Sequence, residues 1–392
     1  MSDFKLDFQD TETAFADKTD SQLKEKYRIF KMMNSPSMVD FGTRATNFAL
    51  KIGLPVTGII KRTIFKQFCG GETIEECQET VEKLGASRIG TILDYSVEGK
   101  SEEEDFERTK EEILRTIERA KSDKNIPFCV FKITGIAPLG TLEKVSSGIE
   151  LPEKSVFKWE RIQSRVNEIC KAAYDTRQPI FIDAEDFYIQ DAIDQLAMAM
   201  MEKYNREQPL VYNTIQLYRK DRLEFLKKSH REAREKGYFY AAKLVRGAYM
   251  EKERERAEEK GYPSPIHETK ADTDRDFNSA LLYCLENIDS LAFVNATHNE
   301  ESTQLLVREM EKKNLPHDHP NIYFAQLYGM SDNLSYVLAK NGYNVAKYVP
   351  YGPVRDAMPY LIRRAQENTS VAGQVSRELD LIKREIKRRK LS

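Results

Sequence analysis

Lys132, Asp183, Gln216, Arg246, His298, Gln326 and Tyr348 each stand at or near the end of a short apolar run, and together they form a set able to do chemistry. A lysine and a carboxylate at neighbouring strand ends keep each other charged in a half-buried cleft. Strand alternation puts Phe128, Val130 and Lys132 on one face, and Phe181 with Asp183 on one face. If that face points inward the two charges meet, because neighbouring strands lie about 4.8 Å apart. Such a pair serves structure as readily as catalysis. Gln216 shares parity with Thr214, and its amide offers a donor and an acceptor to a flat heterocycle or, equally, to backbone. The segment Lys243-Leu-Val-Arg-Gly-Ala-Tyr249 places two cations and a glycine in one short strand. That combination suits an anion such as phosphate, with the glycine allowing a ligand close to the backbone.

A second group is defined by helical spacing. Tyr360, Arg363, Arg364 and Glu367 fall at i, i+3, i+4 and i+7, roughly opposite the stripe of Val354, Ala357, Met358, Leu361 and Ala365. Read alone this is a solvated basic face; the other reading is a pair of guanidinium groups holding a carboxylate through bidentate bonds. His298 has no second His or Cys at ligand spacing, which makes it a poor metal ligand, and no metal is expected. His317 and His319 lie beside prolines and read as solvated. There is no G-x-G-x-x-G after a strand, no phosphate-binding P-loop signature and no G-x-S-x-G turn.

Eight apolar runs position these residues: 90–95, 128–132, 179–185, 211–218, 241–249, 291–299, 322–329 and 345–352. They alternate with segments of helical pattern, which predicts a (β/α)8 TIM-like barrel over 89–370 with its chemistry at the C-terminal strand ends. An N-terminal helical region, 1–88, and a basic helical tail, 371–392, complete the expected organisation. Ile189, Ala192, Ile193, Leu196, Ala197 and Met200 predict a packing helix after the third strand. Segments 137–159 and 250–267 are long for strand-helix links and read as loops over the barrel mouth. In the N-terminal region Phe48, Leu50, Ile52, Leu54, Ile59, Ile60, Ile64, Phe65 and Phe68 interleave with Lys51, Lys61, Arg62 and Lys66. This predicts helices packed on the barrel or, as a second reading, a basic amphipathic surface that touches anionic lipid. The basic run 383–390 reads as a solvated helix end, with docking to an acidic surface as the alternative.

The 61 basic and 63 acidic residues give a net charge of −2, too little to gather nucleic acid. Five cysteines without a C-x-x-C pair suit a reducing compartment. The first twenty residues lack both an apolar stretch and arginine, so neither a secretory signal nor a mitochondrial presequence is expected. No membrane-spanning helix is expected either. The expectation is a cytoplasmic protein, at most peripheral on the inner face of a membrane.

Taken together, Lys243-Leu-Val-Arg-Gly-Ala-Tyr, Phe293-Val-Asn-Ala-Thr-His-Asn, Lys347-Tyr-Val-Pro-Tyr-Gly-Pro and Tyr360-Leu-Ile-Arg-Arg-Ala-Gln-Glu-Asn closely resemble the proline dehydrogenase family. Ile182-Asp-Ala-Glu and Phe131-Lys-Ile-Thr fit the same family, and the likeness runs from about 127 to 370. The resemblance implies FAD-dependent oxidation of L-proline to pyrroline-5-carboxylate by hydride transfer, with electrons passed to a membrane quinone. A separate pyrroline-5-carboxylate dehydrogenase would take the product onward to glutamate. It further implies that Arg363, Arg364 and Lys132 bind the proline carboxylate, reversing the solvated-face reading, and that Tyr348, Tyr360 and Leu244 line the ring pocket. The expected FAD contacts are Ala184, Gln216, Lys243, Arg246, Gly247, Ala248, Thr297, His298, Gln326 and Glu367. Asp183, Lys243 and Tyr249 are the expected catalytic residues, Asp183 orienting Lys132 and Tyr249 rather than taking the amine proton.

In one respect the chain departs from part of the family. Lys243 stands where many bacterial members carry Arg beside the flavin, and a lysine lacks the planar fork. Tyr348 leaves little room for a ring hydroxyl, which argues against the nearest alternative, a hydroxyproline dehydrogenase. Two other classes remain: a barrel lyase or aldolase forming a Schiff base through Lys132 or Lys243, and a non-catalytic adaptor.

Overall fold

The computed structural model describes residues 5–35, 37–40, 42–44, 57–96, 101–370 and 374–391, excluding the side chains of 365–370 and 374–375. Eight strands, β1 (Ile89–Tyr95), β2 (Phe128–Phe131), β3 (Ile180–Ile182), β4 (Val211–Gln216), β5 (Tyr240–Val245), β6 (Leu291–Ala296), β7 (Ile322–Leu327) and β8 (Val345–Tyr351), close into a barrel in chain order. The registered pairs are parallel. The predicted fold class holds. Several apolar runs outlast their strands: the run read over 241–249 leaves the ladder after Val245, and that over 179–185 after Ile182.

By internal packing the chain divides into two compact units, one of Met1–Lys5 and Gly99–Ala325, the other of Leu6–Glu98 and Gln326–Ser392.

In the first unit Phe128 stacks on Phe181 with ring centroids 4.5 Å apart and meets Tyr212 and Tyr323 edge-on at 5.5 and 4.8 Å. Aromatic contacts of this kind contribute about 0.5–1.5 kcal/mol each beyond area burial. Four rings from β2, β3, β4 and β7 therefore form the floor of the barrel interior and fix which face of each strand points in. The predicted packing helix is Phe187–Tyr204, and all six of its apolar marker residues are buried. The segment 137–159 is a correction: a short turn, Ile133–Gly135, leads to a helix, Leu139–Ser146, and a long helix, Glu153–Asp175, has begun by its end. Thr141 and Leu142 alone bury on the first of these helices, too small an apolar face to show as periodicity. In 250–267 a helix, Met250–Lys260, stops at Gly261 in the left-handed conformation, φ 71°. Arg256 on it pairs with Glu143 at 2.8 Å.

In the second unit the helix Asp20–Met33 starts with a capping box between Thr19 and Gln22 and buries Leu23, Phe30 and Met33. Of the proposed amphipathic surface, Phe48, Leu50, Lys51, Ile52 and Leu54 lie outside the described residues. The rest divides: Ile60, Phe65 and Phe68 bury in the core, whereas Ile59 is 68% exposed. The last helix, Gln374–Arg388, buries Leu379, Leu381 and Ile382. Its basic end is not simply solvated. Arg389 donates to Glu385, Asp20 and the carbonyls of Phe15 and Lys18; Arg388 also bonds Glu385, and Arg384 bonds Gln9. No described helix is long and apolar enough to cross a membrane.

Candidate active site

Register carries the inward face of the first unit from strand to strand. Val130 pairs with Phe181, Phe181 with Tyr212, Thr214 with Lys243, Lys243 with Val294, and Val294 with Tyr323. Lys243 therefore shares the face of the aromatic floor, and alternation adds Asp183 and Gln216 to it. At its top Lys132 Nζ lies 3.1 Å from Asp183 Oδ2, and Lys243 Nζ donates to Asp183 Oδ1. One carboxylate thus holds two ammonium groups, each by its own oxygen. The side chains of Lys132, Asp183 and Lys243 are 14%, 10% and 7% exposed, buried enough to strengthen the attraction and open enough to meet a small molecule. The Lys132–Asp183 pair was legible from strand parity. The second partner was not: the sequence pointed Lys243 at a cofactor.

Gln216 donates from Nε2 to the carbonyl of Glu185 at 2.9 Å, while its buried Oε1 has no hydrogen-bond partner among the described residues. A buried acceptor left open costs about 1–3 kcal/mol unless something fills it. Arg246 lies just past β5 and is spread over three acceptors: Asp274 at 2.8 Å, Thr297 Oγ1 at 2.7 Å and Ser302 Oγ at 3.0 Å. Its guanidinium also sits 4.3 Å from the Phe277 ring centroid. Burial lowers its pKa, with Asp274 opposing. Asp274 and Ser302 carry no strand-end signal, so sequence reasoning passed over them.

Gly247 has φ 140°, and a Cβ there would come within 2.4 Å of the Tyr218 ring. The close approach that requires glycine is made by this ring. Ala184 and His298 are half-buried and Ala248 is exposed. Thr297 is buried and also caps Asn299 N at 3.1 Å. Tyr249 is half-buried at the start of Met250–Lys260, with Lys252 5.7 Å from its ring centroid. Leu244, expected in the ring-pocket set, is fully buried and registers with Ile215 and Asn295, on the face of β5 opposite Lys243.

In the second unit Ile92 registers with Tyr348, which is half-buried. Gln326 is buried and accepts from Ser335 Oγ at 2.8 Å. The helix Met358–Ser370 carries Tyr360 and Arg364, only 7% and 8% exposed. The Arg364 guanidinium lies 5.4 Å from the Tyr360 ring centroid, and Arg363 is half-buried. A solvated basic face does not bury an arginine, so that reading is overturned. The Glu367 side chain lies outside those described. Among the described residues no group of three or more His, Cys, Asp or Glu is placed to hold a metal.

A family model described as proline dehydrogenase matches residues 77–377. Proline dehydrogenase 1, mitochondrial, of Dictyostelium discoideum is 34% identical, over 98% of this chain and 75% of that protein. The carbapenem antibiotics biosynthesis protein CarD of Pectobacterium carotovorum is 36% identical over 82% of this chain and 83% of its own length. A hydroxyproline dehydrogenase of Xenopus laevis is 33% identical over 92% and 85%. Among solved structures, proline utilization A of Bdellovibrio bacteriovorus, inactivated by N-propargylglycine, superposes with a TM-score of 0.71 at 20% identity. That likeness covers 92% of this chain and 38% of the longer one, and it speaks for the barrel fold alone. With the family model spanning most of its length and relatives a third identical from end to end, the chain belongs to the proline dehydrogenase family.

Proposed function

We propose that this protein oxidises L-proline to pyrroline-5-carboxylate with FAD as cofactor, the first step of proline breakdown, and passes the electrons to a membrane quinone. The observation that carries the reading is the inward trio in which Asp183 presents two lysines at the strand ends. The residues fit a flavin: Gln216 offers an open, buried acceptor to a heterocycle N–H, and Arg246 supplies a cation at the end of β5. FAD, when bound, supplies a hydride acceptor for ring carbon 5 of proline as the substrate's amine loses its proton.

The chain's own part is to bind and orient. Lys132, Arg363 and Arg364 take the carboxylate, as the family likeness implies, and Tyr348 and Tyr360 take the ring. Gln216, Lys243, Arg246 and Thr297 hold the cofactor, with Ala184, Gly247, Ala248, His298, Gln326 and Glu367 as further contacts. Both oxygens of Asp183 already accept from lysines, which supports an orienting role over that of a base. Tyr249, at the start of its helix, closes the substrate side. The proposed setting is cytoplasmic, with peripheral contact to the membrane that holds the quinone, and a separate dehydrogenase consumes the product.

The test is anaerobic. L-Proline added to the purified, FAD-loaded protein should bleach the oxidised flavin band, and hydroxyproline should bleach it far less. A band unmoved by proline overturns the reading. Equal bleaching by both would favour the hydroxyproline alternative, and a colourless protein that takes up no FAD but is trapped on substrate by borohydride would favour a lysine-dependent lyase.

A further inference from the structure

We propose that Glu185 is a positioning residue that sets Lys132 for the substrate carboxylate. The inference rests on the functional reading above and extends it to a residue with no assigned role. Glu185 is 6% exposed and lies two residues beyond Asp183, just past β3. Its carboxylate accepts twice from one residue, from Thr134 N at 3.0 Å and from the Thr134 hydroxyl. Thr134 sits inside the turn Ile133–Gly135 that follows Lys132, and the turn closes back through Gly135 N to Lys132 O at 3.2 Å. Two bonds to one residue fix the turn's rotation as well as its distance, so the direction in which Lys132 leaves β2 is set from β3.

Glu185 is itself held. Its N–H donates to Gln190 Oε1 at 2.8 Å, Gln190 Nε2 donates to Asp194 Oδ1 at 3.0 Å, and Asp194 also takes Asn213 Nδ2 at 2.8 Å and Arg222 Nη2 at 2.7 Å. All of these groups are buried except at the turn itself. The Glu185 carbonyl accepts from Gln216 Nε2. One residue therefore joins the ends of β2, β3 and β4, holding Lys132 through its side chain and Gln216 through its backbone. A charged acceptor makes stronger bonds to Thr134 than an amide would. The carboxylate's part is thus separable from the backbone's by substitution.

The experiment uses the FAD-loaded protein anaerobically and measures the proline concentration for half-maximal flavin reduction and, by competition, the binding of pyrrolidine, the same ring without a carboxylate. Glu185→Ala should weaken proline about tenfold or more, since a displaced binding group costs that much. It should weaken pyrrolidine less than about twofold, because the lost geometry concerns only the carboxylate's partner. Glu185→Gln should fall between, its amide oxygen still accepting from Thr134 N. Should Glu185→Ala fail to fold, Thr134→Val removes the hydroxyl bond and keeps the N–H bond, and an effect of about threefold confined to proline is expected. Equal weakening of both ligands, or a lowered melting temperature with proline binding unchanged, overturns the proposal. Wild-type protein that binds no proline overturns the functional reading together with this one.

Discussion

Each unit of this molecule contains a buried carboxylate held by more than one lysine. In the first unit Asp183 holds Lys132 and Lys243 at the strand ends, with Lys132 14% exposed. In the second unit Asp332 holds Lys26 at 2.7 Å and Lys347 at 3.0 Å, with side-chain exposures of 2% and 1%, and Lys18, 18% exposed, lies at 4.0 Å. Lys347 also donates to the carbonyls of Met330 and Leu327, and Glu378 accepts from Ser331 N beside it. Burial raises the Asp332 carboxyl, but Lys26, Lys347 and Lys18 outweigh it and hold it well below the usual carboxylate range. Charges paired in this way tie the helix Asp20–Met33, β8 and the last helix together. The same residue types left partly open at strand ends can exchange partners with a substrate. Composition alone does not separate a structural from a functional charge cluster.

The sharpest way to break the comparison is to remove the shared acid. Asp332→Ala leaves two lysines buried without their carboxylate, and a loss of roughly 3–5 kcal/mol is expected from the urea midpoint and slope. Removing a lysine from the open cluster should act on function instead. Lys132→Met keeps the stem and leaves Asp183 its bond to Lys243. The proline concentration for half-maximal anaerobic reduction should rise about a hundredfold, with stability changed by less than about 1 kcal/mol. A stability loss there as large as that of Asp332→Ala would erase the distinction between the clusters.

Acid should reach the two units in sequence. His230, fully buried in the first unit, bonds Tyr283 Oη at 2.8 Å and Ser290 Oγ at 2.9 Å. Burial, aided by the charges of Arg234 and Arg231, lowers its pKa from 6.5 to about 4. A basic group depressed on folding contributes stability that is complete above its ordinary pKa and lost as pH falls through the folded value. The His230 contribution, roughly 2–3 kcal/mol, should therefore fade between about pH 6.5 and 4. The Asp332 contribution, from a carboxyl held low, stays whole above its ordinary value and is lost only in stronger acid. Urea midpoints followed from pH 7 to 4 should slope downward in the wild type and flatten in His230→Gln. An unchanged slope would place the sensitive group elsewhere.

How much of this was legible beforehand depended on period. Alternation is local, so Phe128, Val130 and Lys132 against Phe181 and Asp183 gave the inner face and one ion pair. The apolar spacing of 189–200 gave a helix found at Phe187–Tyr204. What escaped was set by partners distant in the chain: Lys243 on Asp183, Glu185 on Thr134, and Lys26 on Asp332, 306 residues apart. Leu244 shows a different limit of motif reading. A motif names neighbours in sequence, but consecutive strand residues face opposite ways, so Lys243 and Leu244 cannot both look inward. At Arg364 helical spacing shows which residues share a face and leaves open whether that face meets solvent, so the expectation of a binding role came from the family resemblance.

The finest test makes one conservative exchange at the equivalent lysine of each cluster. At Lys347 the ammonium is fixed between Asp332 and two carbonyls with almost no exposed surface, so Lys347→Arg must force extra atoms into a filled space. A cost of roughly 1–3 kcal/mol is expected there. At Lys243 one partner is an oxygen of Asp183, and the Phe181 ring centroid lies 5.2 Å away. A guanidinium can pair with a carboxylate and stack on an aromatic ring, and the family likeness places Arg at this position in many relatives. Lys243→Arg should thus cost less than about 1 kcal/mol and move proline affinity less than about threefold. If the proposed flavin is bound, its clearer trace should be a shifted midpoint potential of that flavin, measured against the wild type. If Lys243→Arg proved as damaging to stability as Lys347→Arg, Lys243 would be as tightly packed as Lys347 and the distinction between the two lysines would fall.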